Sequence, residues 1–276
     1  MDTAIDDRLD AAAAILRGRR TAVLTGAGVS TDSGIPAYRG AGARTRATPM
    51  TIQTYLGDES ARRRYWVGGH LGWRTFTSVE PNAGHRALAS LERAGAVTGV
   101  VTQNVDGLHL RGGSARVVEI HGAMRRVLCL DCRQIFARHD IAGRIEELNP
   151  WITVPESIVM NPDGDVAPES TAGFVIPPCT VCGGLLKPDV VFFGEYVPKD
   201  RFRASEQLLH ASDALLVAGT SLAVNSGVRV IERARRRGIP IVLINHEPTR
   251  ADAWAAAVVR GGTSEALSGL LDRVSG

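Results

Sequence analysis

Thr21-Ala-Val-Leu-Thr-Gly-Ala-Gly-Val-Ser30 joins a short apolar run to a glycine-rich turn. Residues 21–24 are predicted to form a buried strand, and Gly26-Ala27-Gly28 to form the tight turn after it. A phosphate-binding βα unit begins in this way, because glycine lets the backbone come close to a pyrophosphate at a helix N-terminus.

This glycine turn is a weak signal by itself, since a short Gly-x-Gly is as often a plain tight turn. It also departs from the dinucleotide-binding fingerprint, because no third glycine follows Gly28 at the expected spacing. A nucleotide bound here is therefore expected to sit differently from that of a dehydrogenase.

Beyond the turn, strands alternate with helices along most of the chain. Further strands are predicted at 97–102, 117–120, 190–193, 214–218 and 240–245, and helices at 5–17, 85–93, 199–211, 226–237 and 264–274. Continuous apolar strands that alternate with helices are typical of a parallel sheet covered on both faces. The expected fold class is α/β, with a Rossmann-like doubly wound parallel sheet.

Two segments interrupt this rhythm and are predicted to be insertions. Residues 41–78 mix arginines, glycines and scattered aromatic residues, which indicates a helical module of short helices and loops over the turn. Residues 126–187 contain all four cysteines and are predicted to form a zinc-binding module. The Rossmann-like domain is then expected to comprise 1–40, 79–125 and 188–276.

The cysteines occur as two Cys-x2-Cys pairs, Cys129 with Cys132 and Cys179 with Cys182. Four thiolates in this arrangement suit one tetrahedral zinc ion, and a closed shell of four protein ligands indicates a structural role. Gly183-Gly184 provides the sharp turn that such a ribbon needs. The alternative is two buried pairs of thiols, and disulfides are disfavoured in the reducing compartment that we expect.

Composition argues against several classes of protein. The net charge of +3 is too small to indicate a nucleic-acid or membrane partner, and 44 % apolar residues are ordinary for a globular protein. No apolar run approaches the roughly 20 residues of a membrane helix. The acidic beginning of the chain does not resemble a secretory or transit segment. We therefore expect a cytoplasmic protein, and we also expect a monomer.

Seven segments resemble, in order, the motifs of the sirtuin family. They cover nearly the whole chain and comprise Gly26–Ser30 with Ser33–Gly40, Thr102–His109, His121-Gly122, the two cysteine pairs, Lys187–Glu195, Gly219–Leu222 and Ile244-Asn245. This resemblance implies an NAD-dependent protein lysine deacylase. Such an enzyme moves an acyl group from lysine to ADP-ribose and releases nicotinamide. NAD is then the co-substrate, one Zn²⁺ is structural, and the partners are acyl-lysine proteins.

The resemblance assigns the reaction to His121 and Asn104. Histidine suits a general base acting on a ribose hydroxyl, because its unperturbed pKa lies close to the operating pH. Asn104 is expected to help hold the reacting ribose and a water molecule. A lone histidine is more often a satisfied core or surface residue, but the position of His121 at a strand end before Gly122, together with its place in the family motif, favours the catalytic role.

The same resemblance implies the contacts of NAD. Gln103 is expected at the nicotinamide ribose, and Asp106 at the carboxamide beside the backbone of Ile35. Arg39 would order the loop that closes over NAD, and Tyr38 would shield the reactive carbon. The phosphates and the adenosine would meet Gly26, Ala27, Gly28, Ser30, Gly219, Thr220, Ser221 and Asn245. Each polar residue of this set could instead cap a helix.

The acyl-lysine peptide is expected to bind as an added strand, because backbone hydrogen bonds accept many sequences. The residues implied are Val191, Phe192, Phe193, Gly194, Glu195, Leu222 and Val224. The alternative is that residues 190–193 form only a buried strand. Ala37 and Asn225-Ser226 depart from the family pattern, which puts the local loop contacts and the peptide groove in doubt.

Some segments are similar to class II sirtuins, including the lipoamidase-type member. These are Arg63–Trp66, Gly72-Trp73, Val127–Cys132, Asn161–Asp165 and Lys187–Gly194. That branch is associated with removal of larger acyl and lipoyl groups, and residues 150–177 are hypothesised to reach the acyl channel. Two other functions stay open, a mono-ADP-ribosyltransferase and a non-catalytic NAD-sensing scaffold.

Overall fold

A computed structural model describes residues 3–38, 49–153, 161 and 163–275. The strands are β1 Thr21–Thr25, β2 Val97–Thr102, β3 Val117–Glu119, β4 Gly122–Cys129, β5 Ile135–Ala137, β6 Leu186–Val190, β7 Ala214–Ala218, β8 Ile241–Ile244 and β9 Ala257–Val259. The helices are α1 Thr3–Leu16, α2 Ile52–Gly57, α3 Glu59–Ser78, α4 Ala83–Arg93, α5 Leu108–Arg111, α6 Arg138–Leu148, α7 Lys199–His210, α8 Asn225–Arg236 and α9 Thr263–Ser275.

Six strands form one parallel sheet in the order β3-β2-β1-β7-β8-β9. The chain runs outward from β1 to one edge and then returns to β7 to build the other half. The order therefore reverses between β1 and β7, and in open α/β sheets ligands bind outside the carboxyl ends of the strands at such a point. The prediction of a doubly wound parallel sheet is confirmed.

Both faces of this sheet are covered, because successive side chains of a strand point to opposite faces. Val23, Leu216 and Val242 pack in a core that includes residues of α1, α4 and α9. Leu24 and Leu243 pack on the other face, in a core that includes residues of α7 and α8. The strands are consequently buried along their length, which explains why they are apolar throughout.

One predicted strand was placed in the wrong sheet. Residues 190–193 were expected to continue the α/β rhythm, but the strand spans Leu186–Val190 and pairs antiparallel with β4 in a three-stranded sheet, β5-β4-β6. The prediction was wrong because it used only the apolar run, and the pairing partner, β4, was not predicted. This small sheet also uses residues on either side of 126 and 187. The predicted domain boundaries therefore stay a prediction.

Helix α3 was expected to be several short helices and loops, and it is one helix of 20 residues. Asp58 begins it by accepting a hydrogen bond from the Ala61 backbone, 3.0 Å away. Its glycines suggested breaks, but two of them make room for a neighbouring segment. A Cβ on Gly68 would lie 2.2 Å from the Val166 carbonyl oxygen, and one on Gly72 would lie 1.8 Å from that of Gly164. The backbone of the segment after Asn161 thus packs directly against the backbone of the helix.

The other predicted helices and strands are confirmed to within two residues at each end, whereas α5, α6, β4, β5 and β9 were not predicted. Across the described ranges, no helix has the length and apolar character that crossing a bilayer requires.

Three histidines are buried in the core. His70, His85 and His109 are each at most 3 % exposed. The His85 and His109 rings lie 4.8 Å apart, and His109 Nε2 is 2.9 Å from the Thr25 hydroxyl of β1. Burial lowers the pKa of His70 and His85 to about 4, with the charges of Arg138 and Arg86 adding to the effect. Burial also lowers the pKa of His109 well below its usual value.

These histidines predict that the protein loses stability in mild acid. An unfolded histidine has a pKa of about 6.5, so below that pH the unfolded chain binds more protons than the folded chain. The stabilisation is present above pH 6.5 and is lost as the pH falls toward 4, by about 1–2 kcal/mol per histidine between pH 7 and pH 5.

Urea unfolding at pH 7, 6 and 5 measures this loss. His85→Gln is expected to reduce the loss of stability between pH 7 and pH 5 by about 1–2 kcal/mol, because one group that takes up a proton on unfolding is removed. His139→Ala, which changes an exposed histidine, is the matched control. A slope that His85→Gln leaves unchanged would contradict the prediction.

Candidate active site and metal centre

Two turns meet backbone to backbone where the sheet order reverses. The Gly28 amide after β1 donates to the Gly219 carbonyl after β7, at 2.8 Å. A Cβ on Gly28 would lie 2.9 Å from Gly219 Cα, and one on Gly219, whose φ is +62°, would lie 2.5 Å from the Val29 nitrogen. Both positions require glycine, because the two turns pack against each other at the carboxyl ends of the strands and leave no room for a side chain.

Asn104, Ser30 and Asp106 form one hydrogen-bonded group beside this turn. The Asn104 amide donates to the Gly26 carbonyl and to the Ser30 hydroxyl, both at 3.1 Å. Ser30 donates to Asp106 Oδ2 at 2.7 Å, and the Leu108 backbone donates to Oδ1 at 2.8 Å. Burial raises the pKa of Asp106, and these donors oppose the rise. The group ties the loop after β2 to the turn after β1.

His121 lies between β3 and β4, with both ring nitrogens engaged. Its Nδ1 is 2.9 Å from the Gln103 carbonyl oxygen, and its Nε2 is 2.7 Å from the Ser226 hydroxyl. The Gln103 side chain donates to the Thr220 hydroxyl at 2.9 Å. A chain of contacts thus runs from the turn after β7 to the histidine ring.

A network of charged residues includes Arg201, whose charge acts on His121. Asp189 of β6 accepts hydrogen bonds from Arg201 of α7 and from Arg126 of β4. Arg126 also pairs with Glu119, 3.0 Å away. Burial lowers the pKa of His121, and the positive charge of Arg201 lowers it further, whereas the Gln103 carbonyl raises it. The ring is therefore neutral near pH 7, as a general base must be.

The structure places the other predicted nucleotide contacts along the same edge of the sheet. Ile35 is buried, and its amide donates to the Ser30 carbonyl at 3.3 Å. Ala27 lies in the short 3-10 turn Ala27–Val29, and Ser221 is exposed. Asn245 follows β8 and donates to the Glu247 carbonyl at 2.8 Å. Arg39 lies outside the described residues.

Tyr38 connects this edge to the segment between the cysteine pairs. Its hydroxyl donates to Asp163, and its ring meets Phe193 edge-on with centroids 6.2 Å apart. Burial raises the pKa of Asp163 to about 6, and the charge of Asp165 adds to the rise. Residues 163–166 therefore reach the same edge, whereas 154–160 and 162 lie outside the described residues.

The residues predicted to bind peptide differ in accessibility. Phe192 is buried against Tyr55, with ring centroids 5.1 Å apart, and Leu222 is 1 % exposed. Glu195 accepts from the Phe192 amide and from Lys187, both at 3.0 Å, so its carboxylate holds the loop. The remaining members of the set are accessible to differing extents, and they are Val191, Phe193, Gly194 and Val224.

The four cysteines converge at the end of the small sheet. Their sulfur atoms all lie within 4.8 Å of one another, with Cys129 Sγ 3.5 Å from Cys182 Sγ and Cys132 Sγ 3.7 Å from Cys179 Sγ. These distances are far longer than a disulfide and match the roughly 3.8 Å between thiolates around a tetrahedral zinc. The donor set therefore fits one structural Zn²⁺.

Sequence reasoning missed Ser226 and Asp163 as contacts of the site. Ser226 was noted only as a departure from a motif, and its contact with His121 spans 105 positions in the chain. The contact between Tyr38 and Asp163 spans 125 positions. No local pattern signals contacts of this kind.

The comparison with known families agrees with this geometry. The model of the Sir2 family matches residues 26–226, which span the glycine turn, the histidine and all four cysteines. The chain belongs to the Sir2 family. Among relatives of this Sir2 protein, NAD-dependent protein deacetylase 1 of Mycobacterium avium is 51 % identical over 95 % of this chain and 94 % of its own length.

A second relative and a solved structure extend this result. The mitochondrial NAD-dependent protein lipoamidase sirtuin-4 of Bos taurus is 43 % identical over 92 % of this chain and 82 % of its own length. A solved Sir2 complex with a p53 peptide and NAD+ superposes with a TM-score of 0.76 at 28 % identity. It covers 94 % of this chain and 95 % of that one.

Proposed function

We propose that this Sir2 protein is an NAD-dependent protein lysine deacylase, which transfers the acyl group from lysine to ADP-ribose and releases nicotinamide. The observation that carries the proposal is the position of His121. A neutral histidine lies at the same sheet edge as the glycine turn after β1 and the Asn104 group. The names of its deacetylase relatives and the Sir2 complex with peptide and NAD+ support the same reaction.

The residues at this edge fit NAD. The turn Gly26–Gly28 lies at the carboxyl end of β1, where the strand order reverses, and Gly28 is partly exposed, so the phosphates are proposed to meet the backbone of this turn. Asp106 and the Ile35 backbone are proposed to hold the carboxamide, and Gln103 and Asn104 the nicotinamide ribose. The remaining proposed contacts with the phosphates and the adenosine are Gly26, Ala27, Ser30, Thr220, Ser221 and Asn245, with Tyr38 and Arg39 at the closing loop.

NAD, when bound, supplies a ribose carbon that the acyl oxygen of the substrate can capture as nicotinamide leaves. His121 then accepts a proton from a ribose hydroxyl. Its Nε2 is the accepting atom, because a carbonyl only accepts hydrogen bonds and Nδ1 must therefore keep its proton toward Gln103. Asn104 orients the ribose and water, and its own position is held by Ser30 and Gly26.

The peptide is proposed to enter between the loop after β6 and the loop after β7. Phe193 and Gly194 offer backbone on one side, and Leu222 and Val224 on the other. Backbone pairing of this kind supports many target sequences. The proposed protein is monomeric and cytoplasmic, and it binds neither nucleic acid nor membrane.

The acyl group is the finer part of the proposal. The resemblance to class II sirtuins and the lipoamidase name of the bovine relative both favour groups larger than acetyl. Tyr38 contacts both Asp163 and Phe193, and these contacts support the proposal that residues 150–177 reach toward the acyl chain.

The test is incubation with NAD and a panel of acyl-lysine peptides from acetyl through long-chain to lipoyl. Mass spectrometry is expected to detect O-acyl-ADP-ribose and freed lysine, with nicotinamide released only when an acyl peptide is present. ADP-ribose attached to protein would favour the transferase. No turnover of NAD with any peptide would favour the scaffold.

A further inference from the structure

The Ser226 hydroxyl is hydrogen-bonded to Nε2 of His121, the nitrogen that accepts a proton in the proposed reaction. Ser226 lies in the first turn of α8, and its Oγ is 2.7 Å from Nε2. Because Nδ1 donates to the Gln103 carbonyl, Nε2 carries the lone pair and Ser226 must be the donor. A hydrogen bond to that lone pair stabilises the neutral ring.

We propose that Ser226 is a positioning residue for His121, whose hydroxyl keeps Nε2 unprotonated and fixes the orientation of the ring until a ribose hydroxyl takes its place. This inference rests on the proposed function, because the role of Nε2 as a base comes from it. The serine touches the general base and acts through it.

The first turn of α8 is built to hold this arrangement. Gly227, the next residue, faces the side chain of Gln103, since a Cβ there would lie 2.8 Å from Gln103 Oε1. Gln103 in turn supplies the carbonyl that fixes the other side of the histidine ring. The first turn of α8 thus contacts His121 through Ser226 and lies against Gln103 at Gly227. The histidine ring is held by a hydrogen bond at each of its nitrogens.

The positive charge near His121 acts in the same direction as the serine, and the nearby carboxylates are paired with arginines. Arg201 of α7 faces the ring and lowers its pKa, while Asp189 of β6 accepts a hydrogen bond from Arg201. Glu119 of β3 is held by Arg125 and Arg126 of β4. The first turn of α8, residues 225–228, has no charged side chain. Removing the Ser226 hydroxyl therefore leaves these charges in place and removes only the donor.

The experiment compares Ser226→Ala with Ser226→Thr, which keeps a hydroxyl. Ser268→Ala, which deletes a hydroxyl on the remote helix α9, is the matched control. Ser226→Ala is expected to slow O-acyl-ADP-ribose formation about five- to tenfold, the value of one hydrogen bond. The acidic limb of its pH–rate profile should move to higher pH, because the neutral ring has lost a partner. Exchange of nicotinamide into NAD, which precedes the base, should change less than about twofold.

A spectroscopic readout separates this role from the proposed function. Nitrogen NMR of the histidine rings, with His121 assigned by its absence in His121→Ala, reports tautomer and pKa without turnover. The wild type should show a protonated Nδ1, and Ser226→Ala should show a raised pKa that Ser226→Thr restores. An unchanged tautomer and pKa in Ser226→Ala would overturn the positioning role. If Ser226→Ala shows the expected NMR change but the wild type forms no O-acyl-ADP-ribose, the proposed function is overturned instead.

Discussion

His121→Ala is expected to reduce acyl transfer by a factor on the order of 100 to 10,000, the usual contribution of a general base. The ring accepts the ribose proton at Nε2, and of the described side chains beside it neither Ser226 nor Arg201 can replace it. Ser226 has only a hydroxyl, and Arg201 cannot accept a proton at neutral pH. Rates of O-acyl-ADP-ribose formation at saturating NAD and peptide measure the effect.

The same variant should keep its fold and its affinity for NAD. His121 is half-buried and contacts only a carbonyl and a hydroxyl, so truncation leaves no buried charge unpaired. His139→Ala removes an exposed histidine and is the control for the substitution itself. A His121→Ala protein with acyl transfer within about threefold of wild type would show that another group takes the proton.

Cys132→Ser is expected to abolish zinc binding and to lower the melting temperature by on the order of 10 °C or more. Structural zinc sites contribute apparent binding free energies of about 10–16 kcal/mol, which the folded module gains only when all four thiolates are present. The two knuckles face each other, since the Leu130 amide donates to Leu185 and the Leu185 amide to Asp131. Without zinc, only these hydrogen bonds and local packing join the two knuckles.

Zinc content by mass spectrometry of the native protein and a thermal melt together test this prediction. Val181→Ser changes an exposed side chain within the second knuckle and should alter neither value. Chelation of the wild type should reproduce the effect of Cys132→Ser. A Cys132→Ser protein that retains one zinc ion and melts with the wild type would contradict a four-cysteine site.

The parallel sheet was predictable because its signals are local. Residues 97–102 and 214–218 are apolar runs buried on both faces, and each is followed by a polar or glycine-containing turn. The small sheet was not predictable in the same way. Its strand β4 contains Arg125 and Arg126, which pair with Glu119 and Asp189, so a partly buried strand has charged residues in its middle. Pairing across the chain overrode the local pattern.

The residues of the site also differ in whether the sequence could predict them. Asn104, Asp106 and His121 follow strands whose carboxyl ends meet at one edge, so their proximity follows from the topology. Ser226 begins a helix, where a serine more often caps the backbone, and only the folded chain brings it to His121. The family resemblance identified Asn104, Asp106 and His121, whereas none of its motifs predicted the contact of Ser226.

The glycines of α3 limit how this protein can be recombined with its relatives. Gly68 and Gly72 accommodate Val166 and Gly164 at backbone distance, so a side chain at either position collides with the segment after Asn161. A chimera that receives this segment without the two glycines has no space for it, and one that receives the glycines alone exposes a groove on the helix. Helix and segment form a single exchangeable unit, although almost a hundred residues separate them in the sequence.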